Sequence, residues 1–391
     1  MYIMQGALYM KKYVVEVEKK ERNSNFELMR IISMFMIVFW HFIIHSGVLQ
    51  NSSGLTNILI NFIDALLFVH VNSFVLVCGY FNHDKDLRLS KAIKLNNSVW
   101  FYSSLIVIIF AITGLELSKV TILHNLSPIN YGGYWFFTCY LMLFLISPIL
   151  NIVIGNSDKK RMSKIIITCF ILISILPYFT KSAFYNAGNG YSLSNFILLY
   201  FIGAYLKKYP ITESYFMKIF TKNTKRLIFI ILFFIIALFN FLLNYFGLAI
   251  QNFGKELVND IGSIFSSGFL AYNNPLLMLQ SIIYVLFFST FNFKSKFINW
   301  VAASTFGVYL MSDNIYVRGW LYKFLGFNND IYSYDILLYI FICSVAVFSI
   351  CIIIESIRLL IFKVIYNSKI AKKNRIWYQN FLKSLGLNIN W

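Results

Sequence analysis

The sequence predicts an all-α polytopic membrane protein, with about ten transmembrane helices around an internal cavity and both termini cytoplasmic. Three observations carry that expectation. Of 391 residues, 59% are hydrophobic and only 13% are charged, where a soluble domain carries roughly 25% charged residues. The apolar residues gather into runs long enough to cross a bilayer. The basic residues fall on alternate connections between those runs.

The chain begins with a mixed-charge segment, residues 1–24. It holds no short apolar core with a small-residue cleavage site, so no secretory signal is expected. Asn23, Ser24 and Asn25 then read as a helix cap. A spanning helix needs roughly 20 mostly apolar residues. Candidates fall at 28–48, 57–80, 95–113, 134–154, 165–181, 193–206, 227–247, 269–291, 301–321 and 335–362. Pro177 interrupts the fifth, and Gly203 lies in the short sixth. Residues 25–366 thus form one transmembrane domain. The connections near 114–133 and 248–268 are the longest, and they could cap a cavity on the outer face. Residues 367–391 form a basic tail with Trp377, Phe381 and Trp391. It reads either as an amphipathic tail on the cytoplasmic surface or as a plain disordered one.

Charge tests the count. With the N-terminus inside and strict alternation, the outside keeps only Lys119, Lys181, Lys255, Arg318 and Lys323 of the 34 Lys and Arg residues. That asymmetry is what the positive-inside rule requires, and one missed helix would invert everything after it. The net charge of +18 therefore reads as basic loops facing anionic membrane lipid, not as a nucleic-acid surface. The five cysteines, Cys78, Cys139, Cys169, Cys343 and Cys351, lie in apolar stretches without a CxxC pair. They are expected as small core hydrophobes, not as disulfides or metal ligands.

An ionisable residue within a membrane costs several kcal/mol on most scales, so it usually has a partner or a task. The first apolar helix carries three, Arg30, His41 and His45. At ~100° per residue, Arg30 and His41 lie within ~20° of one another around the axis, and His45 lies ~40° further on. The rise from Arg30 to His41 is ~16 Å. One polar stripe therefore crosses most of the bilayer. Snorkelling for Arg30 and packing hydrogen bonds for the histidines explain each residue singly; three on one stripe point to a lined cavity. Neutral imidazole suits deprotonation of a hydroxyl near neutral pH. The His41–His45 pair has no evident acidic or third histidine partner in sequence, so no metal is expected.

Arg88, Lys91 and Lys94 recur every three residues after the second apolar run. They could clamp the phosphates of a nucleotide cofactor, or they could simply set topology. Tyr131-Gly132-Gly133-Tyr134-Trp135 opens the fourth helix. Its aromatics suit either the membrane interface or a sugar-stacking platform. Asp313 lies in the ninth apolar run, followed by Asn314 and Arg318. It could orient a histidine, hydrogen-bond a substrate hydroxyl, or pair with Arg318. Asp64 and His70 could form a similar internal pair. The chain has no P-loop, no Gly-x-Ser-x-Gly elbow, no HExxH and no dinucleotide fingerprint.

These motifs resemble the membrane-bound acyltransferase-3 family. The strongest match is Asn25-Phe26-Glu27-Leu28-Met29-Arg30 running to His41. Tyr134-Trp135-Phe136 through Ser147-Pro148 to Asn151 is similar to the family, as are Cys78-Gly79-Tyr80-Phe81 and Phe306-Gly307-Val308-Tyr309-Leu310 followed by Asp313-Asn314. The resemblance implies an O-acyltransferase that moves an acyl group, usually acetyl, from cytoplasmic acetyl-CoA or another acyl-CoA to a hydroxyl. The acceptor it implies is a polysaccharide, extracytoplasmic or lipid-linked, at the plasma membrane of a bacterial cell. It implies catalytic roles for His41 and Arg30, with His45, Asp313 and Asn314 in support. Donor binding falls to Arg88, Lys91 and Lys94, and Tyr134 and Trp135 are candidates for the acceptor. Two of that basic triplet are lysines, which lack the bidentate fork of arginine, and Ser312 stands where relatives commonly carry His. A transporter or flippase for a lipid-linked glycan is the rival reading; it would need no coenzyme A.

Overall fold

The computed structural model describes residues 22–367 apart from 115–117, 128–132, 180–187, 252–261, 263–265, 267–268, 328–332 and 334. The N-terminal segment up to residue 21, the basic tail from 368, and Tyr131 and Gly132 lie outside the described residues.

Among the described residues the chain is helical throughout. We number the long helices α1 (Ser24–His45), α2 (Gly54–Leu67), α3 (His70–Asn82), α4 (Leu89–Ile112), α5 (Trp135–Gly155) and α6 (Lys159–Phe170). They continue as α7 (Leu193–Lys208), α8 (Lys222–Gln251), α9 (Pro275–Ser289), α10 (Lys296–Ser312), α11 (Ile315–Phe324) and α12 (Ile336–Asn367). Six segments are long and apolar enough to cross a membrane: α1, α2 with α3, α4, α5, α8, and Ile336–Ile365 of α12. The other four expected spans are helical but shorter. The fifth runs from α6 through a π turn at Ile171–Ile175 into Leu176–Phe179.

The ninth expected span, 301–321, is not one helix. It breaks at Asp313–Asn314. Asn314 is extended and its side-chain oxygen accepts from the Tyr316 amide, so it caps α11 and ends the preceding helix. The second span only kinks, at Phe68–Val69, where both residues keep right-handed helical angles and Gly54–Asn82 runs on as one span.

α1 is the axis of the molecule. It is apolar around most of its circumference, so it is buried on more than one side. It packs against α3, α9, α10 and α12. Phe26, Met29 and Trp40 join a core built from α3, α7 and α9. Met34, Val38 and Phe42 join a second core with α10 and α12. The polar residues at its start do not cap it: Asn23 makes no side-chain capping bond. Instead Asn25 donates to the Phe288 carbonyl at 2.9 Å, and Ser24 Oγ accepts from the Ser295 amide at 2.8 Å. These bonds fasten the start of α1 to α9 and α10.

α3 and α7 cross at backbone contact. A Cβ on Gly79 would lie 2.1 Å from the Tyr200 carbonyl oxygen, and one on Gly203 would lie 2.0 Å from that of Leu76. Small residues allow the approach that membrane helices use in place of hydrophobic drive. On the other side of the molecule, Arg358 is buried within α12, not on a basic loop. It donates two 2.6 Å bonds to Glu355, which also accepts from the Tyr102 hydroxyl.

Candidate active site

A cavity of about 630 Å³ runs beside α1. Arg22, Lys85, Lys91 and Lys207 line one end of it, and His41, His70, Tyr309 and Asp313 line the other. Arg30 lines the wall between them. The stripe expected on α1 thus faces this cavity with Arg30 and His41. His45, one turn beyond His41, lies past its lining, with its ring centroid 5.3 Å from that of His41.

The deep end is a cluster assembled by three helices. The carboxylate of Asp313, at the break after α10, places Oδ1 3.5 Å from Nε2 of His41 and 3.3 Å from a terminal nitrogen of Arg318 on α11. The same Arg318 nitrogen meets His45 Nε2 at 2.5 Å. A guanidinium only donates, so His45 Nε2 accepts and its proton sits on Nδ1. His41 differs. Its Nε2 faces the carboxylate, and its Nδ1 is buried with no hydrogen-bond partner among the described residues. Of the roles the sequence left open, Asp313 takes two at once: it faces a histidine and it pairs with Arg318.

His41, His45 and Asp313 bring ligand-type atoms within 4.8 Å of one another. The sequence shows no acidic partner for the histidine pair; the fold supplies one. The positive charge at this cluster is the guanidinium of Arg318, and it takes up both the carboxylate and His45.

The break that carries Asp313 is held in place. The Tyr134 hydroxyl donates to the Leu310 carbonyl at 2.8 Å and accepts from Asn314 Nδ2 at 3.1 Å. Tyr134 and Asn314 thus fix the end of α10 against α5. Trp135, the next residue, lines the cavity and packs against Tyr191 and Tyr272.

On the wall between the two ends, Arg30 pairs with Glu27 at 3.1 Å. Of the expected triplet only Lys91 lines the cavity; Arg88 and Lys94 are exposed outside it. Lys85, three residues before Arg88 in the same connection, and Lys207, at the end of α7, line it instead. Asn151 holds Lys85 there: its amide donates to the carbonyls of Asn82 and Lys85, both at 2.9 Å, while its oxygen accepts from Tyr200. The sequence signal for Lys85 and Lys207 was only their position in basic connections, which every such connection shares.

The expected Asp64–His70 pair does not form. Both carboxylate oxygens and both ring nitrogens are buried without hydrogen-bond partners among the described residues. Six residues along a helix turn the chain by ~240° net of whole turns, and the kink between α2 and α3 adds to the separation. His70 instead lines the cavity with His41.

A helical, multi-pass membrane body encloses a cavity that runs from basic residues to a histidine–carboxylate–arginine cluster. The sequence model of the acyltransferase-3 family, described as an acyltransferase domain, matches residues 23–356. The chain belongs to this family and is a membrane acyltransferase. Neither a curated protein nor a solved structure matches it.

Proposed function

We propose that this acyltransferase moves an acyl group, acetyl first among candidates, from cytoplasmic acyl-CoA to a carbohydrate hydroxyl on the far side of the membrane. One observation carries the reading: a single cavity joins a lysine- and arginine-lined mouth to His41 and Asp313. Coenzyme A carries its phosphates at one end and its thioester at the other. The mouth matches the first and the cluster the second. The positive-inside count supports a cytoplasmic mouth.

His41 Nδ1 is the base in this reading. It takes the proton of the acceptor hydroxyl while Asp313, on Nε2, stabilises the imidazolium that results. Arg318 keeps Asp313 in position and takes His45 out of the role of base. Arg30, paired with Glu27, gives the wall a charge–dipole feature past which the pantetheine arm runs. Tyr134 and Asn314 act as positioning residues. Trp135 offers an aromatic face at the acceptor's approach.

The test measures ester-linked acetate on surface glycans of cells carrying wild type, His41→Ala or no copy, at matched expression. Acetate lost in both altered strains, with glycan amount unchanged, supports the reading. Disappearance of the glycan itself without the gene favours a glycan transporter.

A further inference from the structure

Two hydrogen-bond donors beside His41 have nothing to bind. Trp40 and His70 both line the cavity, and both are buried, at 9% and 1% exposure. The indole nitrogen of Trp40 and both ring nitrogens of His70 lack hydrogen-bond partners among the described residues. Their rings pack 5.5 Å apart between centroids, and Trp40 lies at the same distance from His41. Phe68 packs on both Trp40 and His70, and it stacks on Tyr272 at 4.4 Å.

An indole N–H donates and cannot accept, and a neutral imidazole carries one N–H. Buried donors left unpaired are costly, so such a pair is expected to meet an acceptor when the cavity is filled. Two neutral donors fit an oxygen with two free lone pairs. A phosphate would sit instead among the lysines of the mouth. A hydroxyl could accept from both groups and donate to the second ring nitrogen of His70, but it is the attacking group and is claimed by His41 in the reading above. The carbonyl oxygen of a thioester meets the requirement, and it gains negative charge when its carbon is attacked.

We propose that the N–H groups of Trp40 and His70 form the oxyanion site for the acyl carbonyl. The proposal rests on the acyl-CoA reading above. As the acceptor oxygen bonds to the acyl carbon, its proton passes to His41 Nδ1, and the carbonyl π pair moves onto the oxygen held by the two N–H groups. When that pair returns, the carbon–sulfur bond breaks and the coenzyme A thiolate takes the proton from His41. Such donors act because they are aimed before charge develops, in a site without water.

The experiment uses the full chain in membrane vesicles that carry the glycan. It follows transfer from labelled acetyl-CoA over a concentration series, with binding of free coenzyme A measured alongside. Free coenzyme A has no acyl carbonyl, so its binding reports fold and donor pocket alone. Trp40→Phe keeps the ring and removes the N–H; it is expected to lower kcat by about 100- to 1000-fold, with coenzyme A binding unchanged. Replacing Trp40 by its benzothiophene isostere removes the N–H with the shape retained, and the same loss is expected. His70→Gln, which restores an amide donor, should keep more activity than His70→Phe. An isostere protein with kcat within about threefold of an active wild type overturns the proposal and leaves the acyl-CoA reading standing. A wild type inert with acetyl-CoA and with longer acyl-CoA donors, while still inserted and folded, sinks that reading and the oxyanion site with it.

Discussion

Oδ1 of Asp313 stands 3.5 Å from Nε2 of His41, with Arg318 on its other side at 3.3 Å. Asp313 caps the end of α10 in helical conformation, so α10 sets the carboxylate beside the histidine, and the break at Asn314 redirects α11 so that Arg318 meets the same oxygen. The arrangement assigns the two faces of the imidazole. Nε2 faces Asp313, and Nδ1 is buried with no hydrogen-bond partner among the described residues.

Asp313→Asn tests that assignment. An amide can present its N–H to Nε2, which puts the ring proton on Nδ1 and removes the base. We expect kcat to fall by about 100-fold or more with little change in the KM for acyl-CoA. Transfer kinetics with labelled donor check it, and a preserved unfolding midpoint in detergent shows that the fold is intact.

The basic mouth makes a prediction that separates neighbours. Lys85→Ala, Lys91→Ala and Lys207→Ala should each raise the KM for acyl-CoA by about three- to tenfold, more at low salt than at high salt. Arg88→Ala and Lys94→Ala, outside the cavity, should change it by less than about twofold. Equal effects at all five positions would mean that general surface charge, and not the cavity, gathers the donor.

The buried pair of Glu355 and Arg358 predicts an asymmetry in stability. Arg358→Leu leaves a buried carboxylate without its cation, and loss of one partner of such a pair costs about 3–5 kcal/mol. Replacing both residues by Leu should cost less than the single change. Thermal unfolding of the purified protein in detergent measures both.

At the α3–α7 crossing, Gly203→Val sets new atoms against the Leu76 carbonyl. Overpacking of this kind costs about 1–3 kcal/mol or more where backbone is the obstacle. The unfolding midpoint should drop. Because α3 also carries His70 and Cys78 on the cavity wall, activity should fall in step with it.

Much of this protein was legible before any tertiary contact was known. Membrane class follows from run length and hydropathy, which are local properties. Arg30 and His41 face one cavity because 3.6 residues per turn brings them to one side of α1. The family follows from the same motif and is borne out over residues 23–356. Charge on alternate connections singled out basic segments but could not rank the lysines within them, since topology and phosphate binding both call for positive charge.

The tertiary structure decided the partners. Asp64 and His70, close in sequence, do not meet; Asp313 and His41, at opposite ends of the chain, do. Lys85 and Lys207 stand at the mouth where Arg88 and Lys94 were expected. The kink at Phe68–Val69 and the break at Asp313–Asn314 shape which groups face the cavity. Periodicity determines which side of a helix a residue occupies. What stands opposite that side depends on where helices end and how they cross, and those follow from packing across the whole molecule.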